Sequence, residues 1–120
     1  MVEGSQIDWA AHARKTENVI AEMLDFDRAV GKALDFAEKD RNTLVIITAD
    51  HETGGMGIND GDFKEGTVKA GYTTRSHTGV MVPVFAYGPG SEEFRGIYEN
   101  NDIFFKMMKA YGFVSKLAPE

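Results

Sequence analysis

The chain has 120 residues, enough for one domain with a modest core, and its 42% hydrophobic and 27% charged residues are typical of a folded globular protein. Its formal net charge of −6 argues against nucleic acid or an anionic membrane as a partner. Cysteine is absent, which excludes disulfides and thiolate metal ligands, and no apolar stretch approaches the ~20 residues of a membrane span. We expect one domain over residues 1–120.

The first residues read as the tail of a strand that runs into a loop, so we expect a fragment of a longer protein. Val2 is followed at once by polar sequence, which argues against a signal peptide. In residues 6–13, Asp8 and His12 are four positions apart, and one helical turn would place both side chains on the same face. A metal-ligand pair is one interpretation, and an ordinary surface contact is the other. Trp9 and Ile7 would shield one side of the pair.

Residues 16–40 form the longest periodic segment. Apolar side chains recur at steps of three and four, which predicts an amphipathic helix whose apolar face is core; they include Val19, Met23, Phe26, Val30 and Ala37. Asp27 is a candidate second cap, where the helix would kink or restart. The helix leads directly into an apolar run at residues 44–47, and a helix followed by such a strand is typical of an α/β sheet with parallel pairing.

The apolar run ends in the sequence T-A-D-H-E-T-G-G, residues 48–55. Gly54 and Gly55 allow a sharp change of direction, so Asp50 and His51 would lie at the carboxyl end of the strand, where ligand sites of α/β sheets are found. A carboxylate oxygen and an imidazole nitrogen suit zinc. The alternative is that Asp50 caps the loop and His51 is an ordinary polar residue.

The second half of the sequence predicts less regular structure. Residues 59–62 resemble a calcium loop only superficially, and a solvated turn fits better; residues 67–74 predict a short strand or hairpin arm. Residues 80–87 predict a second strand, in which Pro83 favours an edge or irregular position. Asn101 or Asp102 would cap a closing helix at 103–111, stopped by Gly112, with four side chains facing inward: Ile103, Phe104, Met107 and Met108.

The chain has three histidines, His12, His51 and His77, and each lies near a predicted strand end or a glycine-rich turn. With the carboxylates of Asp8 and Asp50, these neutral imidazoles form a ligand inventory for one or two zinc ions.

The same residues carry a family resemblance. The sequence V-E-G-S-Q-I-D-W-A-A-H at residues 2–12, T-A-D-H-E-T-G-G at 48–55, H-T-G at 77–79 and F-A-Y-G-P-G at 85–90 resemble the carboxyl-terminal part of alkaline phosphatase. The resemblance implies an α/β fold, here a partial three-layer sandwich with a mainly parallel sheet flanked by helices. It also implies a site with two zinc ions and one magnesium ion, used to hydrolyse phosphate monoesters through a phosphoserine intermediate.

The resemblance assigns roles to six residues. Asp8, His12 and His77 match the ligands of the first zinc; Asp50 and His51 match two ligands of the second zinc; Glu3 matches a magnesium ligand. No residue matches the family's nucleophilic serine or its phosphate-binding arginine, so we expect the chain alone to be inactive. The alternatives are a piece of a sister metalloenzyme, such as a phosphoglycerate mutase or a phosphodiesterase, and a non-catalytic zinc-binding module.

The resemblance also implies partners and a location for the whole enzyme. Its partners would be a phosphate monoester or inorganic phosphate, and neither nucleic acid nor a membrane. The whole enzyme would be exported to the periplasm or the cell exterior. Because a truncated sheet exposes an edge strand and apolar surface, we also expect self-association or a homo-oligomer.

Overall fold

A computed structural model describes residues 1–113 of the chain. These residues divide between two compact units, one formed by residues 1–32 and 51–82, the other by residues 33–50 and the part of the chain from residue 83 onward. No helix among the described residues is long and apolar enough to cross a membrane.

The first unit begins with helix α1, Ser5–His12, which is followed by the start of helix α2, Thr16–Asp40. It continues with four short strands: β2 Glu52–Thr53, β3 Gly57–Asp62, β4 Thr67–Gly71 and β5 His77–Thr78. Strand β2 pairs with β5, and β3 pairs with β4, both antiparallel. Residues 1–4 have no regular structure, so the strand tail expected there is not formed.

The core of the first unit is small. Ala10, Ala11 and Val19 are buried, and three partly buried side chains pack against them: Ile7, Met56 and Tyr72. Small residues on α1 allow this close approach, since alanine brings the helix backbone near its neighbours. Trp9 is 65% exposed, so the expectation that it shields the Asp8–His12 pair was wrong.

A glycine turn directly after β2 is hydrogen-bonded to the segment that precedes β5. Gly54 has a φ of +88°, and a Cβ there would lie 2.8 Å from the Tyr72 ring. Its N–H donates to the carbonyl of Ser76, and its own carbonyl accepts from the N–H groups of Thr73 and Thr74. The sharp turn predicted from Gly54 and Gly55 is therefore confirmed, and it holds residues 73–76 beside the turn that follows β2.

The second unit contains the rest of α2, strand β1 Val45–Thr48, strand β6 Val84–Tyr87, a 3-10 helix Ser91–Phe94 and helix α3 Asp102–Ala110. Strands β1 and β6 pair antiparallel, from Val45 opposite Tyr87 to Thr48 opposite Val84. Ala37 and Phe94 are the buried apolar residues of the described part of this unit.

The strand pairing differs from the expected mainly parallel sheet. Among residues 1–113 the strands form three two-stranded sheets, all antiparallel. Parallel neighbours need a crossover connection, usually a helix, whereas short strands and turns link β1 to β6 and the chain returns in the opposite direction.

Several local expectations can be compared with the structure. Helix α2 has the predicted bounds and no break at Asp27. Residues 59–62, expected as a turn, lie in strand β3 instead, and β6 starts only after Pro83, which cannot donate to a strand ladder. Phe104 and Met107 of α3 are 54% and 37% exposed, so their expected inward position was wrong within the described residues. Gly112 follows α3 with a φ of +72°, as expected for a helix stop.

Candidate metal centre

Three side chains from two distant parts of the sequence converge in the first unit. Helix α1 presents Asp8 and His12 one turn apart, and strand β5 supplies His77. The ligand atoms of these residues all lie within 4.8 Å of one another, and no other such group of three or more is found in the described part of the chain. The expected convergence of residues 8, 12 and 77 is therefore present.

The spacing of the three ligand atoms fits one divalent ion. Asp8 Oδ1 lies 3.3 Å from His12 Nε2 and 3.5 Å from His77 Nε2, and the two Nε2 atoms are 3.1 Å apart. A tetrahedral zinc with bonds of about 2.0–2.1 Å has ligand–ligand edges of about 3.3–3.4 Å. Two imidazoles and one carboxylate are also a donor set that zinc accepts.

Backbone geometry determines the tautomer of His12. Its Nδ1 lies 2.6 Å from the carbonyl oxygen of Arg75, and a carbonyl can only accept a hydrogen bond. Nδ1 therefore carries a hydrogen, and in the neutral imidazole the lone pair is on Nε2, the atom that faces Asp8 and His77. A ligating histidine that donates its other N–H to a backbone carbonyl is a common arrangement at metal sites.

The cluster is open to solvent on one side. The side chains of Asp8, His12 and His77 retain 32%, 36% and 43% of their exposure. A closed structural zinc site would surround the ion with four protein ligands, whereas three ligands and an open side leave a position for water or substrate. The three ligand atoms therefore leave room for a further ligand on the open side.

Glu52 holds together strand β2, which follows His51, and strand β5, which contains His77. Its carboxylate accepts a short hydrogen bond from the Thr78 hydroxyl and further bonds from the N–H groups of Gly55 and Met56. Partial desolvation raises the pKa of Glu52, but these three hydrogen bonds and the nearby His51 outweigh it, so the pKa lies below its usual range. Glu52 thus fixes β2 against β5 as an ionised acceptor.

The remaining sequence-predicted ligands have different positions. The His51 ring stacks on the His77 ring with centroids 3.5 Å apart, so His51 lies next to the cluster. Glu3 is exposed just before α1, and Asp50 is exposed after β1 and belongs to the second unit. The roles of Glu3, Asp50 and His51 as ligands stay predictions.

Two polar residues of this region, Glu52 and Thr53, were not predicted from the sequence. Both lie in a segment that was interpreted as a turn because of the two glycines after it. Neither spacing nor residue type marks them as functional, since Glu52 contacts Thr78 and Thr53 contacts Asp8 across the fold.

Comparison with known proteins identifies the family. The alkaline phosphatase family model matches residues 1–67 and 60–113. This chain belongs to the alkaline phosphatase family. It is 34% identical to alkaline phosphatase 4 of Bacillus subtilis, over 91% of this chain and 39% of the relative. It is 38% identical to streptomycin-6-phosphate phosphatase of Streptomyces griseus, over 92% of this chain and 28% of the relative.

A solved structure confirms the fold. The structure of an alkaline phosphatase from the Antarctic bacterium TAB5 matches with a TM-score of 0.85 and 50% sequence identity, over 93% of this chain and 34% of that one. The predicted α/β, alkaline-phosphatase-like fold is therefore confirmed as a part of that fold. The chain spans about two fifths or less of the length of these relatives.

Proposed function

We propose that this chain supplies zinc ligands to an alkaline phosphatase, an enzyme that hydrolyses phosphate monoesters. The observation that carries the proposal is the convergence of Asp8, His12 and His77 at zinc-like spacing, in a chain of the alkaline phosphatase family. One relative is named for a single phosphate ester and another only as an alkaline phosphatase, so the proposal is limited to phosphate monoesters as a class.

The proposed division of roles follows the resemblance and the donor chemistry. Asp8, His12 and His77 would hold the first zinc, Asp50 and His51 part of the second, and Glu3 a magnesium ion. Bound metal ions would supply Lewis-acid stabilisation of phosphate oxygens and an ionised water near neutral pH. The protein's own contribution is to keep His12 in the tautomer with Nε2 available, and to leave one side of the cluster accessible.

We further propose that the 120 residues alone do not turn over substrate. None of their hydroxyl side chains matches the family's nucleophile motif, and none of their arginines matches the phosphate-binding position. A metal centre without a nucleophile to form the phosphoserine intermediate cannot complete the family reaction. A steady rate with a chromogenic aryl phosphate, from chain free of contaminating phosphatase, would contradict this part of the proposal.

Zinc titration by calorimetry tests the metal centre itself. We expect the wild-type chain to bind zinc at this cluster, and His12→Ala and His77→Ala each to weaken binding by about 100-fold or more, because loss of an outer partner alone costs about 10- to 100-fold. Asp27→Asn, on the exposed surface of α2, is the matched control and should bind like the wild type. Equal affinity in all four chains would refute the site.

Self-association is a separate part of the proposal, and β6 supports it. In the described residues β6 pairs only with β1, and its Phe85 and Tyr87 side chains are 61% and 44% exposed. An exposed apolar edge strand is a template for pairing with a second copy of the chain. Sedimentation should show dimers or larger species that increase with concentration, and a monomer at all concentrations would contradict this part.

Export of the whole enzyme stays a prediction.

A further inference from the structure

The hydroxyl of Thr53 contacts ligands from both halves of the proposed metal centre. Thr53 Oγ1 donates to Asp8 Oδ1 at 2.5 Å, and the same oxygen lies 3.3 Å from His51 Nδ1. The side chain is half-buried, and its strand position opposite His77 is fixed by the pairing of β2 with β5. Asp8 belongs to the first set of ligands, whereas His51 is predicted to belong to the second.

Counting hydrogens determines which atom donates in each contact. A hydroxyl has one hydrogen, and an ionised carboxylate can only accept, so the Thr53 hydrogen lies on the bond to Asp8. The contact with His51 then requires the imidazole to donate, so Nδ1 of His51 carries its hydrogen. In the neutral imidazole the lone pair is then on Nε2, and this is the tautomer that binds a metal through Nε2.

We propose that Thr53 is a positioning residue that orients Asp8 and selects the metal-binding tautomer of His51, and so links the two sets of zinc ligands. This inference rests on the proposed function. Threonine suits the task because its branched Cβ restricts χ1 in a strand, which holds the hydroxyl in one direction. A valine would keep the shape and lose both contacts, while a serine would keep the hydroxyl.

Nitrogen-15 NMR of the wild-type chain without metal is the first test, and it needs no variant. At a pH of about 8.5, two units above the usual histidine pKa, imidazoles are neutral and their tautomers can be distinguished. We expect His51 to be hydrogenated at Nδ1. A wild-type His51 with its hydrogen on Nε2 would overturn the proposal.

Substitutions at Thr53 provide the second test. Thr53→Val should shift His51 toward the other tautomer and weaken zinc binding by about 10-fold or more, the range for loss of an outer partner, while Thr53→Ser should stay close to the wild type in both measurements. Thr67→Val, the same change on the exposed strand β4, is the matched control. If circular dichroism shows that Thr53→Val is unfolded, Thr53→Ala removes the same hydroxyl with less demand on space.

The outcomes separate this proposal from the proposed function. A wild-type chain that binds no zinc would refute the metal centre, while the tautomer of His51 would still decide whether Thr53 acts on it. Normal zinc binding by the wild type, with a folded Thr53→Val or Thr53→Ala chain that keeps the wild-type affinity and tautomer, would overturn the role of Thr53 alone.

Discussion

The proposed metal cluster, formed by Asp8, His12 and His77, and the β3–β4 hairpin both contain carboxylates, but the partners of these carboxylates differ in kind. Asp8 faces two imidazole nitrogens brought from residues 12 and 77. On the hairpin, Asp60 pairs with Lys69 at 3.0 Å, and Asp62 accepts from the N–H groups of Lys64 and Glu65. The hairpin carboxylates thus have cationic or backbone partners close by in sequence. Asp8 therefore belongs to a donor set that suits zinc, whereas the contacts of Asp60 and Asp62 are those of ordinary surface carboxylates.

Solvent exposure supports this distinction. The side chain of Asp60 is 63% exposed, whereas that of Asp8 is 32% exposed. The hairpin side chains are exposed throughout β3. The hairpin is therefore a surface feature of this chain, and its acidic residues need no ion to explain them.

Exchanging carboxylates for amides tests the difference between the cluster and the hairpin most directly. Asp8→Asn should weaken zinc binding by about 100-fold or more, because it removes a ligand and not merely an outer partner. Asp60→Asn and Asp62→Asn should leave zinc affinity within about twofold, since exposed single carboxylates bind zinc weakly. Calorimetric titration of the three variants measures this. A loss of affinity in Asp60→Asn as large as in Asp8→Asn would remove the distinction.

Glu52 offers a sharper test, because it lies beside His51 without being a predicted ligand. Glu52→Gln should lower the free energy of unfolding by about 1 kcal/mol, the usual value of a hydrogen bond, with solvent screening at this half-buried position keeping the loss small. Zinc affinity should fall by less than about 10-fold, since the ligands themselves remain.

Urea unfolding and zinc titration of the same Glu52→Gln preparation separate the two effects. Asp25→Asn, which removes an exposed ion pair with Arg28 on α2, is the control for loss of one carboxylate. A loss of zinc affinity in Glu52→Gln equal to that in Asp8→Asn, with stability unchanged, would mean that Glu52 is itself a ligand.

The sequence predicted those parts of the site that depend on spacing within one helix or on a glycine-dependent turn. Asp8 and His12 were predicted to lie on one helix face from their i, i+4 positions. The turn at Gly54 was predicted from residue type alone. Convergence of His77 with them came from the family resemblance, since nothing local encodes a contact across 65 residues. Thr53 and the Arg75 carbonyl were missed because one contact crosses the fold and the other is made by the backbone, which every residue has.

The sequence predicted the position of helix α2 correctly, but it did not predict the pairing of the strands. Helix α2 was located from its periodicity, which is a local property. The direction of strand pairing could not be predicted in this way, because an apolar run such as residues 44–47 is compatible with parallel and with antiparallel pairing. The partner strand determines which of the two forms. The faces of α3 were also misjudged: apolar periodicity shows which residues share a face, and whether anything covers that face depends on the rest of the protein.

The smallest expected effect concerns the hairpin itself. The hydrogen bond from Lys69, with a second bond from the Gly61 N–H, holds the pKa of Asp60 below its ordinary value. A carboxylate with a depressed pKa stabilises the folded chain above its ordinary pKa, and that contribution is lost as the pH falls through the folded value. Lys69→Met should therefore raise the pKa of Asp60 toward the ordinary value and reduce this acid-dependent loss.

Carbon-13 NMR of the Asp60 carboxyl during an acid titration measures the change. Lys64→Met is the control, since it removes a lysine from the same hairpin and leaves the bond between Lys69 and Asp60 in place. Zinc affinity should not change in either variant. If Lys69→Met instead left the pKa of Asp60 unchanged while creating a zinc site on the hairpin, local pairing would not be what separates the hairpin's carboxylates from the metal cluster.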